Sequence, residues 1–170
     1  MIRRLALTAS LLALAACGQG ASSPEPAAPA AGSTAPAAPI APAPPAPTDA
    51  KMQAALAALP APYNAADLEN GRRAFARCRS CHTVTEGGPN MTGPNLWGVF
   101  GRQAGSHPGF NYSEAVKSAD FTWDAERIDH WLENPRTFLP GNKMSFAGLP
   151  DGDDRRDLIA WLQLNAKPTS

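Results

Sequence analysis

The sequence has no surplus of either charge: 15 Lys and Arg stand against 15 Asp and Glu in 170 residues. A protein that neutralises nucleic-acid phosphates, or that binds membranes through a polybasic surface, needs an excess of basic side chains, so neither class fits. Long hydrophobic runs are missing as well. The apolar stretch Leu5–Ala16 is about twelve residues, whereas a helix crossing the hydrocarbon core needs ~20, which argues against a permanent transmembrane helix. Cysteine is scarce, and its three copies, Cys17, Cys78 and Cys81, make an odd set for disulfides. Proline is abundant but localised: nine of the 18 lie between Ser22 and Pro47, so the two parts of the chain have different characters.

The front end carries Met1-Ile-Arg-Arg4, a short positive segment, ahead of that apolar run. This is a signal-peptide layout, expected over residues 1–16. The run ends in Leu14-Ala15-Ala16-Cys17, which resembles the lipobox of bacterial lipoproteins. That resemblance implies acylation of Cys17 and cleavage just before it; ordinary cleavage after Ala13-Leu14-Ala15 is the alternative. Several acyl chains on one residue give stable anchoring where one gives only marginal binding. Residues 17–51 are almost entirely Ala, Pro, Ser, Gly and Thr and cannot form a core. Prolines every two or three residues favour extended polyproline II geometry at ~3.1 Å per residue, so the tether reaches about 100 Å when stretched.

Residues 52–170 are long enough for one compact domain. Within it, Cys78-Arg79-Ser80-Cys81-His82 is a C-x-x-C-H run, the attachment signature of haem c. Each thiol can add across one vinyl group to form a thioether, and the adjacent histidine then lies under the iron as proximal ligand. Structural zinc would need four N or S ligands, and no second close pair is present. A thioredoxin-like pair would want a βαβ context, whereas the domain shows helical periodicity. A disulfide is chemically possible in an oxidising compartment but would close a strained short loop.

His107, His130, Met91 and Met144 are the candidates for the sixth position, with Met52 near the tether. Met144 lies in Pro140-Gly141-Asn142-Lys143-Met144-Ser145-Phe146, a turn-rich segment between helical stretches that suits a loop folded across an open haem face. The helices themselves are legible from caps and periodicity. Asn64 and Asp67 offer capping oxygens to a first helix whose face is Leu68, Gly71 and Phe75. A second is expected from about Trp123 to Asn134, ended by Pro135. A last helix is capped by Asp153 or Asp154 and buries the stripe Leu158, Trp161 and Leu162.

Five blocks, taken together, resemble the class I cytochromes c of the mitochondrial and alphaproteobacterial type. They are Gly71-x-x-x-Phe75-x-x-Cys78-x-x-Cys81-His82, Gly93-Pro94-Asn95-Leu96-x-Gly98-x-Phe100-Gly101-Arg102, Leu132-Glu133-Asn134-Pro135, Pro140-Gly141-x-Lys143-Met144 and Asp157-Leu158-Ile159-Ala160-Trp161-Leu162. The resemblance implies an all-α fold of three to five helices packed around one covalently attached haem, with the first and last helices crossing at Gly71. It implies Met144 as sixth ligand, the Pro94 carbonyl as acceptor for His82, and Arg102, Tyr112 and Trp123 as partners of the haem propionates. Three positions depart from the mitochondrial pattern: Trp131 replaces a tyrosine facing the methionine sulfur, Val116 an asparagine, and Asn142 a threonine. The family's basic docking ring is reduced to Arg77, Arg79, Arg136, Lys143 and Lys117. From Asp67 onward 12 Lys and Arg face 13 Asp and Glu, so charge should steer docking less than in strongly basic relatives.

The function expected on this reading is a monomeric electron carrier with one haem, held by lipid and tether in the bacterial periplasm. Its partners would be membrane complexes: a quinol–cytochrome c reductase on one side, a cytochrome c oxidase or photosynthetic reaction centre on the other. A haem enzyme of peroxidase type would require an open coordination site, against which Met144 argues. A fixed electron-entry subunit of a larger oxidase or reductase is the third class.

Overall fold

The computed structural model describes residues 47–167, with side-chain surroundings from residue 50 onward. The expected signal peptide, Cys17 and the tether as far as residue 46 lie outside the described residues. What is described is all-α: α1 Pro47–Ala57, α2 Leu68–Phe75, α3 Glu114–Lys117, α4 Ala125–Glu133, α5 Pro135–Phe138 and α6 Gly152–Asn165, with a 3₁₀ turn at Tyr63–Ala65. Two of the six, α3 and α5, are single turns of four residues. Among the described residues there is one isolated β-bridge, Gln103 with Thr122, and no helix is long and apolar enough to cross a membrane.

The frame is the crossing of α2 and α6. Asp67 caps α2, its carboxylate accepting from the amides of Glu69 at 2.9 Å and Asn70 at 3.0 Å; Asn64 sits in the 3₁₀ turn instead. Gly71 lies against α6 so closely that a Cβ would overlap the Asp157 carbonyl, and Phe75 stacks on Trp161 with ring centroids 4.7 Å apart. The crossing also holds a buried carboxylate. Asp157, 3% exposed, accepts from the Asp67 amide, the Asn70 amide side chain and the Arg156 guanidinium. Burying a carboxylate costs several kcal/mol unless it is paired and hydrogen-bonded, and these donors supply both conditions.

Three boundaries differ from the sequence reading, each for a local reason. The cap of α6 is Asp151, whose carboxylate accepts from the amides of Asp153 and Asp154, so those two occupy the first turn. The expected helix from Trp123 begins at Ala125, because Asp124 caps it by accepting from the Arg127 amide. Pro135 ends α4 and also starts α5, with Asn134 capping α5 through the Thr137 amide; a proline lacks the N–H a helix interior needs but suits a first turn.

Leu158, Ile159 and Ala160 of α6 are all fully buried, so its apolar surface is wider than one stripe. One side meets Phe75, Val99, Ile128, Leu132 and Leu149. The other meets Leu56 and Ala66, packed with Ala160 and Leu164. The second layer comes from α1, which begins at Pro47, inside the segment expected to be tether. Full burial of a Leu or Ile stabilises by ~1.5–3 kcal/mol. Arg155 locks the far end: Nη1 donates to the carbonyls of Leu149 and Pro150, and Nε to Asp129 of α4 at 2.9 Å.

Candidate functional site

Immediately after α2 the chain continues in tight turns, with the amides of Cys81 and His82 both bonding the Cys78 carbonyl at 2.9 Å. That winding brings both thiols and the imidazole to the wall of one cleft. The cleft opens to solvent and has a cavity volume of about 250 Å³. Met144 lines the same cleft, as do Pro94, Arg102, Tyr112, Trp123, Trp131, Asn142, Arg77 and Lys143.

His82 is fixed from two sides. Its Nδ1 lies 2.7 Å from the Pro94 carbonyl, which can only accept, so Nδ1 carries the proton and a neutral ring keeps the Nε2 lone pair free. Burial holds the imidazole pKa below its ordinary value, with the Pro94 bond acting in the opposite direction. Gly93 packs flat on the ring, where a Cβ would overlap it. Behind Pro94, Asn95 is 2% exposed and staples the loop. It donates to the carbonyls of Thr85 and Gly88 and accepts from the Trp97 amide, while its own amide bonds the Asn90 side chain. This role was not legible in the sequence beyond the position of Asn95 inside a matched block. Burial pushes the Cys78 thiol up to about 11, so it is held as a neutral S–H.

The opposite wall is the loop that follows α5. Asn142 donates to the carbonyls of Pro135 at 2.8 Å and Leu139 at 2.9 Å and accepts from the Met144 amide at 2.9 Å. The loop returns at Leu149, 1% exposed, whose amide bonds the Leu132 carbonyl at 2.7 Å. Trp123 and Trp131 line the cleft and pack with Phe121 and Phe138 into one aromatic group. Trp123 meets Trp131 edge-on at 5.4 Å, and Phe138 stacks against Trp123 at 6.2 Å. Phe121 and Phe138 were missed by sequence reasoning because neither falls in a matched block. Val116 is buried and lines the cleft, so no polar group is present at that position.

The other candidates for the sixth position do not line the cleft. His107 is bonded to Arg102, His130 is exposed on α4 near Glu133, Met91 is exposed, and Met52 lies on α1, packed against the cluster of Leu56, Ala66, Ala160 and Leu164. The expected docking residues diverge. Arg77 and Lys143 line the cleft, Arg79 is exposed, and Arg136 lines an adjoining hollow with Asn134, Ser145 and Phe146, the last two of which also line the cleft. Lys117 is tied to Glu114 at 2.9 Å.

Arg102 supplies a test of what the cleft can hold. Its guanidinium is part-buried and donates to the carbonyls of Trp97 at 3.0 Å and Asn95 at 3.1 Å and to the ring of His107. All three acceptors are neutral, and burial holds its pKa below the ordinary value. A buried cation is normally paired, so a group bearing carboxylates beside Arg102 and Tyr112 answers an otherwise uncompensated charge. Two thiols, an imidazole with a free Nε2, a thioether and an unpaired guanidinium around one apolar cleft fit a haem with its vinyl and propionate groups.

A family model described as cytochrome c matches residues 68–165. The chain belongs to the cytochrome c family. It is 42% identical to cytochrome c of Kluyveromyces lactis over 105 residues, 61% of this chain and 96% of that protein. Cytochrome c2 of Rhodomicrobium vannielii is 43% identical over 113 residues, 66% of this chain and 90% of the relative. A cytochrome c homolog of Bradyrhizobium diazoefficiens is 44% identical over 98 residues, 57% of this chain but only 53% of the relative. Membership in the cytochrome c family means one covalently attached haem c and a single-haem electron carrier working with redox partners, not an enzyme. The family match begins at residue 68, downstream of α1.

Proposed function

We propose that the chain is a lipid-tethered periplasmic carrier that moves one electron at a time from a quinol-oxidising membrane complex to a terminal oxidase or photosynthetic reaction centre. The observation that carries this reading is the convergence of Cys78, Cys81 and His82 from one wall and Met144 from the other on a single apolar cleft. Cys78 and Cys81 would hold the haem covalently, and His82 and Met144 would ligate its iron. The haem supplies one-electron chemistry, and methionine ligation favours the reduced state, raising the potential.

The residues of the chain do the rest. Pro94 and Gly93 hold the His82 ring in one tautomer and orientation. Asn142 ties the Met144 amide to the end of α5, which keeps the thioether at the cleft. Trp123, Trp131, Leu158 and Leu162 exclude water, while Arg102 and Tyr112 compensate carboxylate charge at the far rim. Arg77, Arg79, Arg136 and Lys143 would meet an acidic partner. None of the four is within ion-pair distance of an acidic side chain among the described residues. The lipobox-like Leu14-Ala15-Ala16-Cys17 and the Ala/Pro-rich segment after it support the anchor, and a leash raises the effective concentration of the carrier near both partners.

Potentiometric titration of the purified full chain, with optical spectra recorded throughout, tests the reading. One one-electron wave with a c-type spectrum and a methionine–iron charge-transfer band is expected. Met144→Ala should keep the haem attached and open the iron to CO; loss of attachment instead would mean the assigned roles are wrong. Shortening the segment between Gly18 and Pro45 should slow electron transfer between membrane complexes and leave the spectrum unchanged, and undiminished transfer would sink the tether's role.

A further inference from the structure

His107 is neither a cleft-lining residue nor a free surface histidine. Its Nδ1 lies 3.1 Å from Nη1 of Arg102. A guanidinium has donors only, so the imidazole Nδ1 must accept, and the neutral ring carries its proton on Nε2. Protonating Nδ1 removes that acceptor and sets two cations side by side. The guanidinium cannot simply swing away, because it is also bonded to the carbonyls of Trp97 and Asn95, the latter in a residue 2% exposed.

The surroundings of the ring are simple. Of the chain's own groups, Arg102 is the one charged group that bears on it, and Tyr112, whose hydroxyl meets the His107 backbone, is the other titratable neighbour; the haem carboxylates assigned above to Arg102 and Tyr112 would be the remaining titratable groups there. Lys117 approaches the same loop through its backbone at Gly105, but its ammonium is tied to Glu114. No carboxylate bears on His107 among the described residues. Burial first, and the guanidinium second, hold the ring below the ordinary imidazole pKa. His107 is partly exposed, so solvent protons reach it.

We propose that His107 is a proton-binding site linked through Arg102 to the redox state of the cleft. The inference rests on the single-haem reading above. Adding an electron to the cleft makes its charge less positive, which eases the placement of a second cation against Arg102. The electron comes from the reduced redox partner and the proton from solvent; the only bond formed is N–H at Nδ1. Linkage is reciprocal, so protonation of His107 must favour reduction by the same factor that reduction favours protonation. The protein would take up a fraction of a proton with each electron in mildly acidic solution and release it on oxidation.

The test uses the purified holoprotein in both redox states. NMR titration of the His107 ring should give proton binding on the order of threefold tighter in the reduced form, about half a pKa unit. The reduction potential should fall with rising pH between the two His107 pKa values. In His107→Gln, which keeps an acceptor for Arg102 but does not titrate, that fall should vanish. Equal His107 pKa values in the two states, or an undiminished pH dependence in His107→Gln, would overturn the proposal. The NMR titration uses the unaltered chain and so does not depend on how the variant folds. Absence of a c-type spectrum would instead defeat the carrier reading, which keeps the two failures apart.

Discussion

Asn142→Ala is the most direct test of how the loop bearing Met144 is held. The wild-type side chain makes three hydrogen bonds, to the carbonyls of Pro135 and Leu139 and from the Met144 amide, at 2.8 to 2.9 Å. A typical intramolecular hydrogen bond contributes ~0.5–1.5 kcal/mol net, and leaving a partner buried and unpaired costs more. Asn142 is only partly buried, so water can replace part of what is lost and the lower half of the summed range applies. The substitution should therefore favour loop opening by about 1.5–3 kcal/mol, which is roughly a 10- to 160-fold rise in the population with Met144 withdrawn. The assay is the rate of imidazole or cyanide binding to the oxidised holoprotein, with the methionine–iron band recorded against pH. Binding should accelerate by that factor, and the band should be lost at lower pH. Asn142→Thr retains one acceptor for the Met144 amide and should fall between the two. Exogenous ligand binding at the wild-type rate in Asn142→Ala would refute the idea that this side chain closes the loop.

Two other substitutions probe the frame behind the cleft. Gly71→Ala should destabilise by about 1–2 kcal/mol in guanidinium unfolding, because the added Cβ overlaps Asp157 backbone, which puts overpacking at ~2–3 kcal/mol, the upper part of its range, against ~1 gained in helix propensity; unchanged stability would mean that α2 and α6 are not in close contact there. Arg155→Ala should cost about 3 kcal/mol, since it strands Asp129 and the Leu149 and Pro150 carbonyls. The lower end of the usual range for a buried pair applies because the Asp129 side chain is 30% exposed. Arg155→Lys should recover only part, one ammonium being unable to reach three separated acceptors, and full recovery in a thermal melt would show that charge alone matters.

The two ends of the domain illustrate what local chemistry reveals and what it hides. Asp67 at the head of α2 and the run Asp157–Leu162 in α6 are readable because capping and periodicity are short-range. The start of α6 was misplaced by two or three residues, since Asp151, Asp153 and Asp154 all offer capping oxygens and only the folded backbone selects one. The aromatic group shows the same limit across longer range: Phe121, Trp123, Trp131 and Phe138 come from separate segments and meet only after α4 and α5 are placed. The helix α1 was hidden for a different reason. Its composition continues that of the tether, and its order comes from Leu56 packing with Ala66 and with Ala160 and Leu164, the last two more than 100 positions away.

By itself the sequence determined the covalent chemistry and the family. Two thiols three residues apart with a histidine adjacent can do little else in a helical context, and both the spacing and the neighbouring blocks are one-dimensional facts. Tertiary structure decided which of several methionines and histidines faces those thiols. Met144 is 62 residues from His82, and what brings it to the same cleft is the Asn142 clasp, the Leu149–Leu132 bond and the Arg155 lock, none of which is a nearest-neighbour property. It also removed His107 from the list of ligands and set it against Arg102, because the loop after Gly101 turns back on the cleft wall.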